Sequence, residues 1–341
     1  MSAPAAGARL TQGLFDLQVN GFAGVDFNDA ALTAERLDQA LEAMLGTGVT
    51  LCLPTIITVR EEALAARFEA LDRAVAASRL GPAMCPGYHL EGPFLNPAEG
   101  YRGCHPQEAM CAADPALLAR LESRLSRPIL LLTLAPEVEG AIELISSLPA
   151  RRKVVAIGHS SATGALLAQA VAAGLKLSTH LGNGVLRTLH KFDNTILAQL
   201  AEDRLFADFI ADGIHIPVHA LKVMLRAKGI GRSILVTDAV SAAAAPAGIH
   251  PFAGFTVERD ADGSVHLPGQ AVLAGSSLTL DAAIRNLVSW GLASFEEGIA
   301  MASANPRRLM AEAFSAHGIC APKGRVTWSE TMQVEGAELG V

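Results

Sequence analysis

Three residues far apart in the chain form a set that can do chemistry: Glu91 in YHLEGPFLN, His159 in KVVAIGHS and His180 in KLSTHLGN. One carboxylate and two imidazoles suit a divalent metal such as zinc, with a position left open for water. Each residue ends an apolar run, where an ionised side chain is costly to bury unless a partner compensates it. A bound metal would hold Glu91 ionised. Asp238, at the end of SILVTDAV, is a further carboxylate. Beside a metal it can take a proton from bound water, whose pKa the metal lowers toward about 7. The plain alternatives are a hydrogen-bonded core histidine at each imidazole and an N-cap or turn carboxylate at Asp238.

These residues meet only if the fold brings the ends of separate strands together. Eight runs rich in Val, Ile and Leu recur, at 14–21, 49–58, 85–92, 129–137, 153–160, 176–183, 205–215 and 233–240, each followed by a stretch with helical spacing such as Ala63, Ala66, Phe68, Leu71 and Val75. This alternation predicts parallel βα units, and eight of them predict an α/β fold of the (β/α)8 TIM-barrel type. In a barrel the C-terminal strand ends converge on one face. The polar residues there are Asp16, Gln18 and Asn20, then Thr55, His89 and Glu91, then Glu137 and His159, and finally Thr179, His180, Asn183, Asp212, His215 and Asp238.

After the eighth run the pattern breaks. Residues 252–273 read as a hairpin insertion turning at Asp260–Gly263. Helices are predicted over 279–290 and 295–301, with another opened by Asn305 and Pro306 as cap and first-turn residue. The tail has room for one short hairpin. The predicted organisation is an N-terminal extension (1–13), the barrel (14–314) and a C-terminal segment (315–341).

The composition narrows the classes. Of 341 residues half are hydrophobic, and the formal net charge is −7 with no basic footprint, which argues against a nucleic-acid partner. No stretch reaches about 18 uninterrupted apolar residues and the N-terminus lacks a signal-peptide core, so a cytoplasmic protein without a membrane partner is expected. The five cysteines are odd in number and lack a Cys-x-x-Cys pair, as expected of reduced thiols. A zinc site on Cys104 and Cys111 would need partners that the sequence does not supply nearby.

FDLQVNG, HLEGPFLN, LAPE, IGHSSAT, STHLGN, IADGIH, LVTDA and AGSSLTL, taken in order, resemble the motifs of the N-acetylglucosamine-6-phosphate deacetylase family of the amidohydrolase superfamily, over about residues 14 to 314. The resemblance implies a metal-dependent deacetylase of amino sugars on a (β/α)8 barrel, a homodimer, with a small β-sandwich built from both chain ends. It makes Glu91, His159 and His180 the metal ligands and Asp238 the general acid/base. It also sets His105, in YRGCHP, at the acetamide carbonyl and His215 on the substrate. Asn183 and Gly184 fall in the loop contacting the sugar phosphate, and Ser276 in a loop near the sugar.

The chain departs from the family in three places. Gln18 and Asn20 stand where many superfamily members carry His-x-His. They alternate onto the same inward face, and neutral amides are poor ligands for a second zinc, so one divalent metal is expected. Lys191 stands where the family has an arginine reaching the neighbouring subunit's phosphate site, and lysine lacks the bidentate fork. The sandwich is expected to be reduced or missing. Beside the deacetylase reading stand a deacylase of a related N-acyl amino sugar, phosphorylated or unphosphorylated, and a catalytically silent barrel serving as a binding protein.

Overall fold

The computed structural model describes residues 8–270, 272–321 and 323–340; residues 1–7 of the predicted N-terminal extension lie outside them. Eight parallel strands form one sheet in chain order: β1 (Leu14–Val19), β2 (Val49–Ile57), β3 (Tyr88–Glu91), β4 (Ile129–Leu134), β5 (Val154–Ile157), β6 (Leu177–Ser178), β7 (Phe206–Phe209) and β8 (Ser233–Leu235). Each lies inside its predicted run. Every residue of these strands is buried, as expected where helices cover the outside and side chains fill the inside. A parallel bridge between Val19 and Ala239 joins the first strand to the chain beyond the eighth. Asp16 reinforces that closure: its carboxylate accepts the Thr237 hydroxyl at 2.6 Å and the Thr237 amide at 3.2 Å.

A helix follows each strand before the chain returns. Ala34–Gly46 shows why it forms there: Thr33 caps it by accepting the Arg36 amide, and Leu37, Ala40, Leu41 and Met44 make the buried stripe. The eighth helix, Leu280–Ser289, is delayed by an insertion. That insertion is wider than the predicted hairpin, because Gly248–Phe252 adds a strand to Phe255–Arg259 and Val265–His266. Pro251 and His250 had masked this strand, and an edge strand tolerates both. The Asp260–Gly263 turn is as predicted, with the Gly263 amide on the Asp260 carbonyl.

The last helices correct the reading of Asn305 as a cap. Phe295–Ile299 runs through a π-helical segment, Ala300–Ala304, into Asn305–Ala316, and Asn305 itself is helical at φ −66° and ψ −48°. Pro306 has no N–H to give the preceding turn, and the wider π segment accommodates its ring. The Asn305 amide instead donates to the carbonyls of Ile230 and Ser233, tying the helix to β8.

Both ends of the described chain meet in a three-stranded antiparallel sheet, with Arg325–Trp328 central between Arg9–Gln12 and Val334–Glu338. Trp328 anchors it: the ring is buried against Phe295, and its N–H donates to the Thr11 hydroxyl at 2.8 Å. Among the described residues no helix is long and apolar enough to cross a membrane.

Candidate active site

The strand ends bring the predicted metal set together. Glu91 Oε1 lies 2.9 Å from His180 Nε2 and 3.4 Å from His159 Nε2, and its Oε2 lies 3.8 Å from His105 Nε2. The ring of His159 meets those of His105 and His180 edge-on, with centroids 4.5 and 5.0 Å away. All four residues are buried. His105 comes from the loop after β3, so a loop residue joins three from strand ends. Ligand atoms of Glu91, His105 and His159 lie within 4.8 Å of one another, and neither Cys104 nor Cys111 belongs to this group.

Three site residues adopt left-handed backbone conformations: His159 at φ 52°, His180 at φ 30° and Asp238 at φ 49°. Such conformations cost non-glycine residues about 1–3 kcal/mol and persist only where the surroundings impose them. The surroundings do so here. His159 Nδ1 is 2.7 Å from the Tyr101 carbonyl, the His180 amide donates to the Asp208 carboxylate, and the Asp238 amide donates to the Gln18 carbonyl at 3.0 Å.

Charge in the cluster is shared. Burial opposes ionisation of Glu91, but hydrogen bonds from His159 and His180 outweigh it and hold the carboxyl well below its usual range. Burial would also lower His180, yet the Glu91 bond and charge raise it to about 9. Burial and then neighbouring His159 push His105 down to about 3, leaving it neutral. Asp238 rises to about 6 through burial, which the His180 charge opposes and the Glu91 charge assists.

Asp238 Oδ1 is fixed by two amide donors, Asn20 at 2.8 Å and Gln18 at 3.1 Å, while Oδ2 has no partner among the described residues. Three buried polar atoms here lack a partner: His180 Nδ1, Gln18 Oε1 and Asn20 Oδ1. A buried carboxylate among imidazoles, with unmet polar atoms around it, fits one divalent metal.

The remaining predicted residues divide. His215 is held by Asp212, Nδ1 to Oδ2 at 2.6 Å, so its Nε2 is the free edge. Asn183 is near the cluster and donates to the His180 carbonyl at 3.1 Å. Gly184 touches the cluster directly: at φ 61° it packs so closely that an added Cβ would meet His159 Nδ1 at 2.6 Å. Ser276 braces Asp238, since its hydroxyl donates to the Thr237 carbonyl at 2.5 Å and its amide to the Asp238 carbonyl at 2.9 Å. Lys191 stays outside the cluster on an exposed loop, its Nζ 5.3 Å from the Phe192 ring centroid. His89 is a satisfied interior histidine, bonded to Thr133 at 2.8 Å and within 3.3 Å of Thr55.

Sequence reasoning missed Thr58 and Asp208. Thr58 Oγ1 sits 2.8 Å from His105 Nδ1 and 3.2 Å from the Glu91 carbonyl, so it sets the His105 tautomer. It ends the run VTLCLPTIIT, and the strand-end rule applied three residues past Thr55 finds it. Asp208 is buried inside β7, where FADF gives no sign that a carboxylate will meet the His180 amide.

No protein-family model matches the chain. The chain is 33% identical over 296 residues to the N-acetylgalactosamine-6-phosphate deacetylase of Escherichia coli O157:H7, covering 86% of this chain and 76% of that protein. It is 31% identical over 320 residues to the N-acetylglucosamine-6-phosphate deacetylase of Bacillus subtilis, covering 93% and 78%. Among solved structures it is similar to the N-acetylglucosamine-6-phosphate deacetylase of Pasteurella multocida, with a TM-score of 0.84 and 26% identity over 97% of this chain and 85% of that one.

Proposed function

The chain belongs to the N-acetylglucosamine-6-phosphate deacetylase family, hydrolases of an amide bond, and from that premise we propose that it releases acetate from N-acetylglucosamine 6-phosphate to leave glucosamine 6-phosphate. The observation that carries this reading is the placement of Asp238, with one free carboxylate oxygen, at the strand ends that also carry Glu91, His159 and His180. One zinc ion per chain, held by those three residues, would polarise the acetamide carbonyl and acidify the attacking water.

The protein's own groups do the rest. Gln18 and Asn20 immobilise Asp238 Oδ1, which leaves Oδ2 to take the proton of the attacking water. The Asp238 carboxyl, raised toward about 6, then gives that proton to the departing nitrogen. The Thr58 hydroxyl donates to the Glu91 carbonyl and so accepts from Nδ1 of neutral His105, which fixes that ring with its Nε2 turned toward the Glu91 carboxylate, where the acetamide would lie. His215, pinned by Asp212, presents Nε2 to the sugar, and the Asn183–Gly184 loop lines the same side. In a homodimer Lys191 would reach the partner's sugar phosphate.

Acetate release from N-acetylglucosamine 6-phosphate, N-acetylgalactosamine 6-phosphate and their unphosphorylated forms tests the reading. The first should turn over fastest; turnover of only unphosphorylated sugars would overturn it. The galactosamine epimer is the second reading, favoured by the name of the Escherichia coli relative.

Lys191→Ala should raise KM about tenfold to a hundredfold for a 6-phosphorylated sugar, the loss of one charge-assisted contact. It should leave the unphosphorylated sugar unchanged, and Lys191→Arg should retain activity. Equal sensitivity of both substrates, or a fully active monomer, counts against the shared phosphate site.

Metal uptake should depend on pH. With His180 raised to about 9, the metal-free cluster holds a proton that an imidazole ligand must lose. Affinity should therefore climb by about tenfold per pH unit as pH rises toward 9, and calorimetry in buffers of different ionisation enthalpy should find about one proton released. Uptake without proton release would contradict the assignment of His180.

A further inference from the structure

The opposite end of the barrel holds a cavity of about 490 Å³ lined by cations. Lys153, Lys176, Arg204 and Arg232 stand just before or at the start of β5, β6, β7 and β8, and Arg152 and Arg308 complete the rim. Two of these are neutralised: Lys153 by Glu122, and Arg204 by Glu202 through bonds of 2.7 and 2.8 Å. The other four form no ion pair among the described residues. Against them the cavity wall offers one carboxylate, Glu312.

The arginines are held in place without being neutralised. Arg232 and Arg308 both lie over the Phe206 ring, with guanidinium carbons 4.8 and 5.1 Å from its centroid. Their hydrogen bonds go to uncharged carbonyls, Arg232 to Arg204 at 3.4 Å and Arg308 to Gly231, and Arg152 likewise donates to Ala316. A chain of net charge −7 thus gathers four unpaired positive charges around one concavity. Like charges gathered this way repel one another, and an anion between them relieves that repulsion. Planar guanidinium forks match phosphate oxygens in pairs. The volume falls within the range of small-molecule sites, and Val154, Val171 and Leu175 supply an apolar wall.

We propose that this cavity is a second ligand site, distinct from the strand-end centre, for a small metabolite carrying a diphosphate group. Lys176 and the guanidinium groups of Arg152, Arg232 and Arg308 would hold the phosphates, and the apolar wall would take the rest of the molecule. Such a ligand would bind independently of the amide-hydrolysing centre, because the two lie at opposite ends of the same strands.

Calorimetric titration of the metal-loaded full chain with inorganic pyrophosphate and with ADP tests this. Both should bind at one site per chain, and Lys176→Gln with Arg308→Gln should weaken them tenfold or more. Glu312→Gln should tighten binding, since it removes the opposing carboxylate, and this variant decides the matter if the double variant fails to fold. His215→Ala should change nothing. Absence of binding at millimolar probe, affinity indifferent to the Glu312 change, or binding abolished by His215→Ala would overturn the proposal.

Discussion

Asp238→Asn keeps its metal and loses activity by about 10²- to 10⁴-fold, the usual cost of removing a positioned acid/base. Asn preserves shape, and its side chain can still present an oxygen to the amides of Gln18 and Asn20. Asn also tolerates a left-handed backbone better than most residues, so the φ of 49° is not a new source of strain. What disappears is a free oxygen able to take and return a proton. Unchanged metal content with lost turnover identifies Asp238 as the proton carrier; near wild-type turnover would make it a structural carboxylate.

Glu91→Gln should reduce bound metal more than 100-fold in affinity and abolish measurable turnover. The carboxylate is buried and shared among three imidazoles, and breaking a buried charged pair costs about 3–5 kcal/mol. A readout independent of activity follows in the metal-free protein. Burial lowers His180, and Glu91 does most to lift it to about 9, with Asp238 and Asp208 adding to the rise, so removing the Glu91 charge should bring the His180 titration down. Imidazole NMR signals across pH would show this. An unmoved His180 titration, or full metal content in Glu91→Gln, would remove Glu91 from its assigned place.

Much of this was legible in the sequence because a barrel converts position along a strand into position in space. Glu91, His159, His180 and Asp238 each end an apolar run, and runs in parallel register must bring their ends to one face. His105 was reached only through resemblance, since it sits on a loop whose path no periodicity encodes. Thr58 and Asp208 act through bonds to residues 47 and 28 positions away, and local pattern carries no record of such partners. Asn305 was misread for a related reason. Asn-Pro has the composition of a helix start, but contacts with the carbonyls of Ile230 and Ser233 and a π segment keep the helix continuous.

The left-handed conformations of His159, His180 and Asp238 limit how the centre can be re-engineered. Directed evolution toward another metal would exchange ligand types, and the backbone filters that exchange before any metal does. Asn, Asp and Gly enter such positions at low cost, whereas Val, Ile and Thr carry a branched Cβ into a region nearly closed to them. Accessible variants therefore lean toward oxygen donors and harder cations, while branched residues drop out of a library as misfolded protein.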